Sequence, residues 1–155
     1  MIKNKKVFII EDYKDTLIIL KRILKKENLE VETATTGEEA KKKFPLFRPD
    51  VIILDINLPD TNGLDLIREF RKVDPDIEII VLTAYAELEN AIRSVRERVS
   101  DFIAKPFDTR YLLHSINRCL EVRKLKKQII RSEKIRLLGE MAAGITHVLT
   151  ILFLL

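Results

Sequence analysis

Val51-Ile-Ile-Leu-Asp55-Ile-Asn57-Leu-Pro59 opens with four consecutive large apolar residues, the pattern of a strand buried on both faces. A lone carboxylate follows at the strand's end, and a proline stops the run four residues later. Open α/β sheets place their chemistry at the carboxyl edge of the strands. Taken singly, an aspartate after a strand only begins a turn. Asp55 gains weight because three other strand ends carry matching polar groups.

Working outward, strand and helix alternate along the chain. Lys6–Ile10 is an apolar strand ending in Glu11-Asp12. Thr16–Lys26 repeats Leu17, Leu20, Ile23 and Leu24 at helical spacing, and Asn28 marks its stop. Glu30–Ala34 alternates as a half-buried strand, and Thr36-Gly-Glu-Glu opens a second helix expected to close at Phe44, before Pro45. After the Asp55 strand, Pro59-Asp-Thr-Asn-Gly63 is dense turn chemistry. Leu64–Arg71 reads as a helix, Ile77–Leu82 as a buried strand ending in Thr83, and Ala86–Arg98 as an amphipathic helix. Asp101–Ala104 is a short fifth strand ended by Lys105-Pro106, and from Asp108 the pattern is helical. Five strands alternating with five helices predict a right-handed, doubly wound parallel sheet of the α/β class.

The strand ends then define a site. The first strand gives Glu11 and Asp12, the third Asp55, the fourth Thr83 and the fifth Lys105, while the second offers only Thr35-Thr36. Three carboxylates close together cannot all stay ionised without a counter-charge. A hard divalent cation such as Mg²⁺, which takes oxygen ligands, supplies one. One carboxylate can then attack a phosphoryl group while a lysine and a hydroxyl steady its oxygens. Neither a Gly-x-Gly-x-x-Gly run nor a P-loop is present, so nothing points to a nucleotide site.

These residues together resemble a response-regulator receiver domain over residues 4–122. The resemblance implies a flavodoxin-like five-stranded sheet of order 2-1-3-4-5, and the helical pattern that runs on past it adds a long C-terminal helical extension. It also implies that Asp55 is the phospho-acceptor, that Glu11 and Asp12 are the acidic pair with Asp12 a direct Mg²⁺ ligand, and that Asn57 lends its backbone carbonyl to the metal. Thr83 would bond the phosphoryl group, with Lys105 its ion-pair partner and the Lys105–Pro106 peptide cis. Phe102 stands at the family's switch aromatic, and Asn57 and Tyr85 flank the path of the hydrolytic water. The implied partners are a sensor histidine kinase or a histidine phosphotransfer protein.

Composition frames the rest. The 155 residues are 46% hydrophobic, enough for one core and an appendage. The single cysteine, Cys119, excludes an intrachain disulfide and fits a reducing, cytoplasmic setting. No signal-peptide pattern follows Met1. Val148–Leu155 is apolar but too short for a membrane span, which needs about 20 residues. Residues 1–109 carry a net charge of −2 and residues 110–155 a net +6. The basic cluster Arg123, Lys124, Lys126 and Lys127 reads first as the solvated face of a helix. A DNA-binding regulator is the weakest reading, because no helix-turn-helix pattern follows.

Residues 123–155 carry a second pattern. Val122, Leu125, Ile129 and Ser132 begin a seam, and after a one-residue slip Ile135, Leu138, Ala142, Ile145, Leu149 and Leu152 recur at 3-4-3-4-3 spacing, as in a coiled coil. A parallel homodimer through this helix is the expectation. Leu138-Gly-Glu-Met-Ala-Ala-Gly-Ile-Thr-His147 resembles the phospho-acceptor box that opens the dimerisation domain of sensor histidine kinases. His147 would be a vestigial phospho-acceptor on the outer face. The family's acidic neighbour, second bundle helix and ATP-binding domain do not follow, so the chain would not phosphorylate His147 itself. A single-base deletion in one coding of His-Asp-Phe-Asn-Asn-Thr-Leu yields His-Val-Leu-Thr-Ile-Leu-Phe-Leu, the reading at 147–154. Residues 148–155 are therefore expected to be a frameshifted end of a receiver-bearing kinase, and poorly ordered or held by adventitious contacts.

Overall fold

In a computed structural model, described for residues 4–154, the apolar runs become five parallel strands: β1 (Lys6–Ile10), β2 (Glu30–Ala34), β3 (Val51–Leu54), β4 (Glu78–Thr83) and β5 (Asp101–Ala104). The intervening helices are α1 (Lys14–Lys26), α2 (Gly37–Phe47), α3 (Gly63–Val73) and α4 (Leu88–Arg96), and α5 (Thr109–Leu154) closes the chain. The sheet order is β2-β1-β3-β4-β5, the flavodoxin-like order that the resemblance implied. β2 lies at an edge, which accounts for its lack of a chemical group at its carboxyl end.

Alternation along each strand sends successive side chains to opposite faces, and both faces are covered. Phe8, Ile10, Ile52 and Leu54 meet Ala40 and Phe44 of α2 and Leu64, Ile67 and Phe70 of α3. Val7, Ile9, Val51 and Ile53 meet Leu20 and Leu24 of α1 and Leu112, Ile116 and Cys119 of α5. Each Val, Ile, Leu or Phe among them contributes roughly 1.5–3 kcal/mol when fully buried, which is why β1 and β3 read as unbroken apolar runs.

Register aligns the strand ends. Ile10 pairs with Leu54 and Leu54 with Val81, while Thr83 pairs with Ala104. Glu11 and Asp55 therefore leave neighbouring strands side by side, and Lys105 follows the partner of Thr83.

Several boundaries differ from the sequence reading. α2 runs through Pro45 to Phe47, although proline removes one helical hydrogen bond. Ring packing holds the last turn: Phe44 lies on Phe70 with centroids 4.6 Å apart, and Phe47 meets Phe8 edge-on at 6.1 Å. α4 is shorter than expected, leaving Ala86 and Glu87 outside it.

The described chain divides into two compact units, Met1–Arg123 and Lys124–Leu155. Arg123 corrects the reading of a solvated basic cluster, because its side chain is buried within the first unit. Its Nη2 donates to Asp74 Oδ2 at 2.7 Å, its Nε to Asp50 Oδ1 at 3.2 Å and its Nη1 to the Asp76 carbonyl at 3.2 Å. Charge repetition along the sequence did not reveal it, because the three acceptors come from loops far upstream.

The second unit is helical through Leu154, and Leu155 lies outside the described residues. The expected loss of order after His147 is not found, since no residue from 148 to 154 is Gly or Pro and the helix continues. α5 contains an 18-residue window of mean hydropathy 1.8, none of it buried, which meets the length and composition of a membrane span. Within that helix, Val148–Leu154 continues the small and apolar residues before it.

Candidate functional site: an acidic cluster at the carboxyl edge of the sheet

Asp55 is the first residue beyond β3, and its backbone N–H donates to the Ile10 carbonyl at 2.9 Å. That bond continues the β1–β3 ladder one step and holds the carboxylate between β1 and β4. The side chain is buried, at 5% exposure. Thr83 Oγ1 donates to Asp55 Oδ1 at 2.9 Å, and Lys105 Nζ donates to Asp55 Oδ2 at 2.9 Å. Each carboxylate oxygen thus has its own side-chain donor, Thr83 from the last residue of β4 and Lys105 from the residue after β5. The Asn57 N–H adds a third bond, to Oδ1 at 3.0 Å.

Lys105 also donates to Glu11 Oε2 at 2.7 Å. Its backbone N–H is tied to the Thr83 carbonyl at 2.9 Å, and the Lys105–Pro106 peptide is cis. Burial works to lower the ammonium's pKa, but hydrogen bonds to Glu11 and Asp55 outweigh it and hold Lys105 above the usual lysine range. Burial also pushes the Glu11 carboxyl up to about 7; the Lys105 bond opposes this, and the neighbouring Asp55 charge reinforces it.

Oxygen atoms of Glu11, Asp12 and Asp55 all lie within 4.8 Å of one another. Asp12 is exposed and the other two are buried, so the cluster opens to solvent on one side. When all three are ionised, the single charge of Lys105 leaves the group net negative. Hard oxygen donors with excess negative charge suit Mg²⁺.

The loop after Asp55 is tightly drawn. The Gly63 N–H donates to the Ile56 carbonyl at 2.6 Å. A Cβ on Gly63 would lie 2.2 Å from the Asp55 carbonyl oxygen, so only glycine fits there. Tyr85 is exposed, and its N–H donates to Thr83 Oγ1 at 3.1 Å. Phe102 is half-buried and packs on the core beneath α2 and α3. His147 is exposed on α5, in the second unit. Asp60 had no role beyond turn chemistry in the sequence reading, yet its carboxylate bonds the start of α2. The only signal for it was its place in the Pro59–Gly63 turn.

Residues 7–117 match the response regulator receiver domain family. The chain belongs to that family. Over 116 residues this receiver is 36% identical to the chemotaxis protein CheY of Thermotoga maritima, covering 74% of the chain and 97% of that protein. It is 30% identical over 124 residues to regulatory protein AtoC of Escherichia coli, covering 80% of the chain but only 27% of that longer protein. The crystal structure of a CheY-like receiver from Methanospirillum hungatei superposes with a TM-score of 0.77 at 32% identity, covering 80% of this chain and 99% of that one. Receiver domains bind Mg²⁺ at an acidic pocket and work with histidine kinases or phosphotransfer proteins. The shared fold and the acidic cluster support a phosphoryl-transfer role here.

Proposed function

We propose that this receiver accepts a phosphoryl group on Asp55 from a phospho-histidine donor, in a Mg²⁺-dependent transfer. The observation that carries the reading is the division of the Asp55 carboxylate between two donors, Thr83 on Oδ1 and Lys105 on Oδ2.

In this mechanism an Asp55 oxygen forms the new bond to phosphorus. The phosphorus–nitrogen bond of the donor breaks, and its electron pair stays on the imidazole, which is protonated from solvent. The Lys105 ammonium and the Thr83 hydroxyl then face the phosphoryl oxygens and neutralise their charge. Glu11, Asp12, Asp55 and the Asn57 carbonyl would hold the metal, which when bound supplies positive charge against the transferring oxygens. As Thr83 follows the phosphoryl group, β4 shifts beside its β5 neighbour Phe102, whose ring sits deeper in the core and completes the switch. Hydrolysis returns Asp55 to a carboxylate, with Asn57 and Tyr85 flanking the water. The donor is a sensor histidine kinase or a phosphotransfer protein.

Labelling with acetyl phosphate tests this. Wild-type chain with Mg²⁺ should be labelled, and Asp55→Asn or excess EDTA should reduce labelling to background. Undiminished labelling of Asp55→Asn removes Asp55 from the role, and undiminished labelling in EDTA removes the metal dependence.

The helix beyond Arg123 supports a second reading. Ile135, Leu138, Ile145, Leu149 and Leu152 are all exposed on one continuous helix at heptad spacing. Such a face is stable in water only when covered. We infer that the helix beyond Arg123 pairs in parallel with a second copy, as the first dimerisation helix of a receiver-bearing histidine kinase. His147 would then be an outward-facing phospho-acceptor. Incubation with ATP and a histidine-kinase ATP-binding domain should give an acid-labile label that His147→Gln removes.

A further inference from the structure

The loop between β3 and α3 is short and drawn in on itself. Asn57 and Asn62 form an isolated antiparallel bridge across its base, and Asp60 stands between them at the tip. At that tip, Asp60 reaches a different element. Its Oδ1 accepts the Gly37 N–H at 2.8 Å and its Oδ2 the Glu38 N–H at 3.0 Å. These are the first two residues of α2, whose N–H groups have no partner inside the helix. Thr36 Oγ1 already takes the Glu39 N–H at 3.1 Å. The start of α2 is thus satisfied by one local cap and one carboxylate from a distant loop.

The two-point bond fixes the position of Asp60 and also its orientation. Its bonds to Gly37 and then Glu38 hold the carboxyl below the ordinary aspartate range, so it is an ionised, strong acceptor at neutral pH. The opposite side of the contact is closed by sterics. A Cβ on Gly37 would lie 2.6 Å from Thr61 Cγ2 and 3.3 and 3.4 Å from the Asp60 oxygens. The described glycines include none at positive φ, so it is this contact that requires glycine at position 37.

We propose that Asp60 is a positioning residue: by clamping the loop tip to the start of α2, it sets where the Asn57 carbonyl stands and thereby the affinity of the acidic cluster for Mg²⁺. The inference rests on the Mg²⁺ reading of Glu11, Asp12, Asp55 and Asn57. Neither Asp60 nor Gly37 belongs to the cluster of carboxylates at Asp55. The contact can be loosened from either side, by Asp60→Ala or by Gly37→Ala, without altering a proposed ligand.

Calorimetric titration of the full chain with Mg²⁺ tests the proposal. Both substitutions should raise Kd about tenfold, the lower end of what outer-shell changes do to metal affinity. Gly37→Ala should do so because its Cβ displaces Thr61 and the Asp60 carboxylate, while circular dichroism of the metal-free chain keeps the wild-type helix content. The Mg²⁺ concentration for half-maximal acetyl phosphate labelling should rise in parallel, while the rate at saturating Mg²⁺ returns to the wild-type value. Wild-type binding with unchanged Kd in both variants overturns the role of Asp60 and leaves the Mg²⁺ reading standing. Failure of the wild type to bind overturns that reading and this inference together. A shift confined to Asp60→Ala and matched by a loss of folded protein also overturns it, because the residue would then only be structural.

Discussion

Residues before and after Arg123 treat the same kinds of side chain in opposite ways. In the first unit Leu54, Ile52 and Val81 are fully buried, and each apolar strand face meets a helix supplied by the same chain. In the second, Leu138 is 65% exposed and Phe153 is 89% exposed. Arg123 and Arg136 show the same contrast in charge. The first is buried against Asp74 and Asp50, and the second forms exposed ion pairs with Glu133 and Glu140 one turn away. A buried charge of this kind depends on its partners, and losing them is costly. Exposed pairs along a helix contribute only a few tenths of a kcal/mol. The first unit is therefore specified from within, and the apolar face of the second stays exposed.

The contrast is sharpest in chemistry. Lys105→Ala should slow Asp55 labelling by acetyl phosphate about a hundredfold, the loss typical of removing one charge-stabilising donor. His147→Gln should leave that rate unchanged. A Lys105→Ala rate within a fewfold of wild type would deny the site its electrostatic role.

Packing separates the units next. Leu54→Ala should destabilise the receiver by about 2–5 kcal/mol in urea unfolding. Leu138→Ala should leave that transition in place and instead weaken self-association, read by sedimentation. A chain ending after Lys127 keeps Arg123 and should sediment as a folded monomer. Full chain and shortened chain each sedimenting at its own monomer mass would remove the dimer.

Titration of a core thiol gives a smaller effect. Burial against Ile116 and its neighbours raises Cys119 from the ordinary value of 9.0 to about 11. The unfolded chain loses this proton before the folded one. The thiol's contribution to stability is therefore complete below pH 9 and is lost as pH rises from 9 to 11. Cys119→Ala should show a shallower decline over that range than wild type, and identical slopes would refute the assignment.

The smallest expected change concerns the lifetime of the phosphoryl group. Tyr85→Ala should speed hydrolysis severalfold by opening the water's path past the exposed ring, as phosphate release after labelling would show. Unchanged or slower release would dismiss the steric argument.

How much of this was legible beforehand depends on how local the cause is. The four-residue apolar run before Asp55 and the polar groups at the strand ends are short-range patterns, so the strands, their order of appearance and the residues gathered at the site could be read from sequence alone. Burial on both faces imposes unbroken apolar strands, and a parallel sheet brings their carboxyl ends to one edge. The heptad spacing after Ile135 was equally visible, because a helix repeats its faces regardless of what covers them. Tertiary structure alone decided three other things. Pro45 stays inside α2 because Phe44 and Phe47 are anchored on rings from α3 and β1. Arg123 leaves the basic cluster because acceptors from loops 47 and 49 residues upstream converge on it. Asp60 reaches Gly37 because the fold brings two loops at the same sheet edge into contact across 23 residues. In each case the deciding partner is distant in sequence, and no periodicity records it.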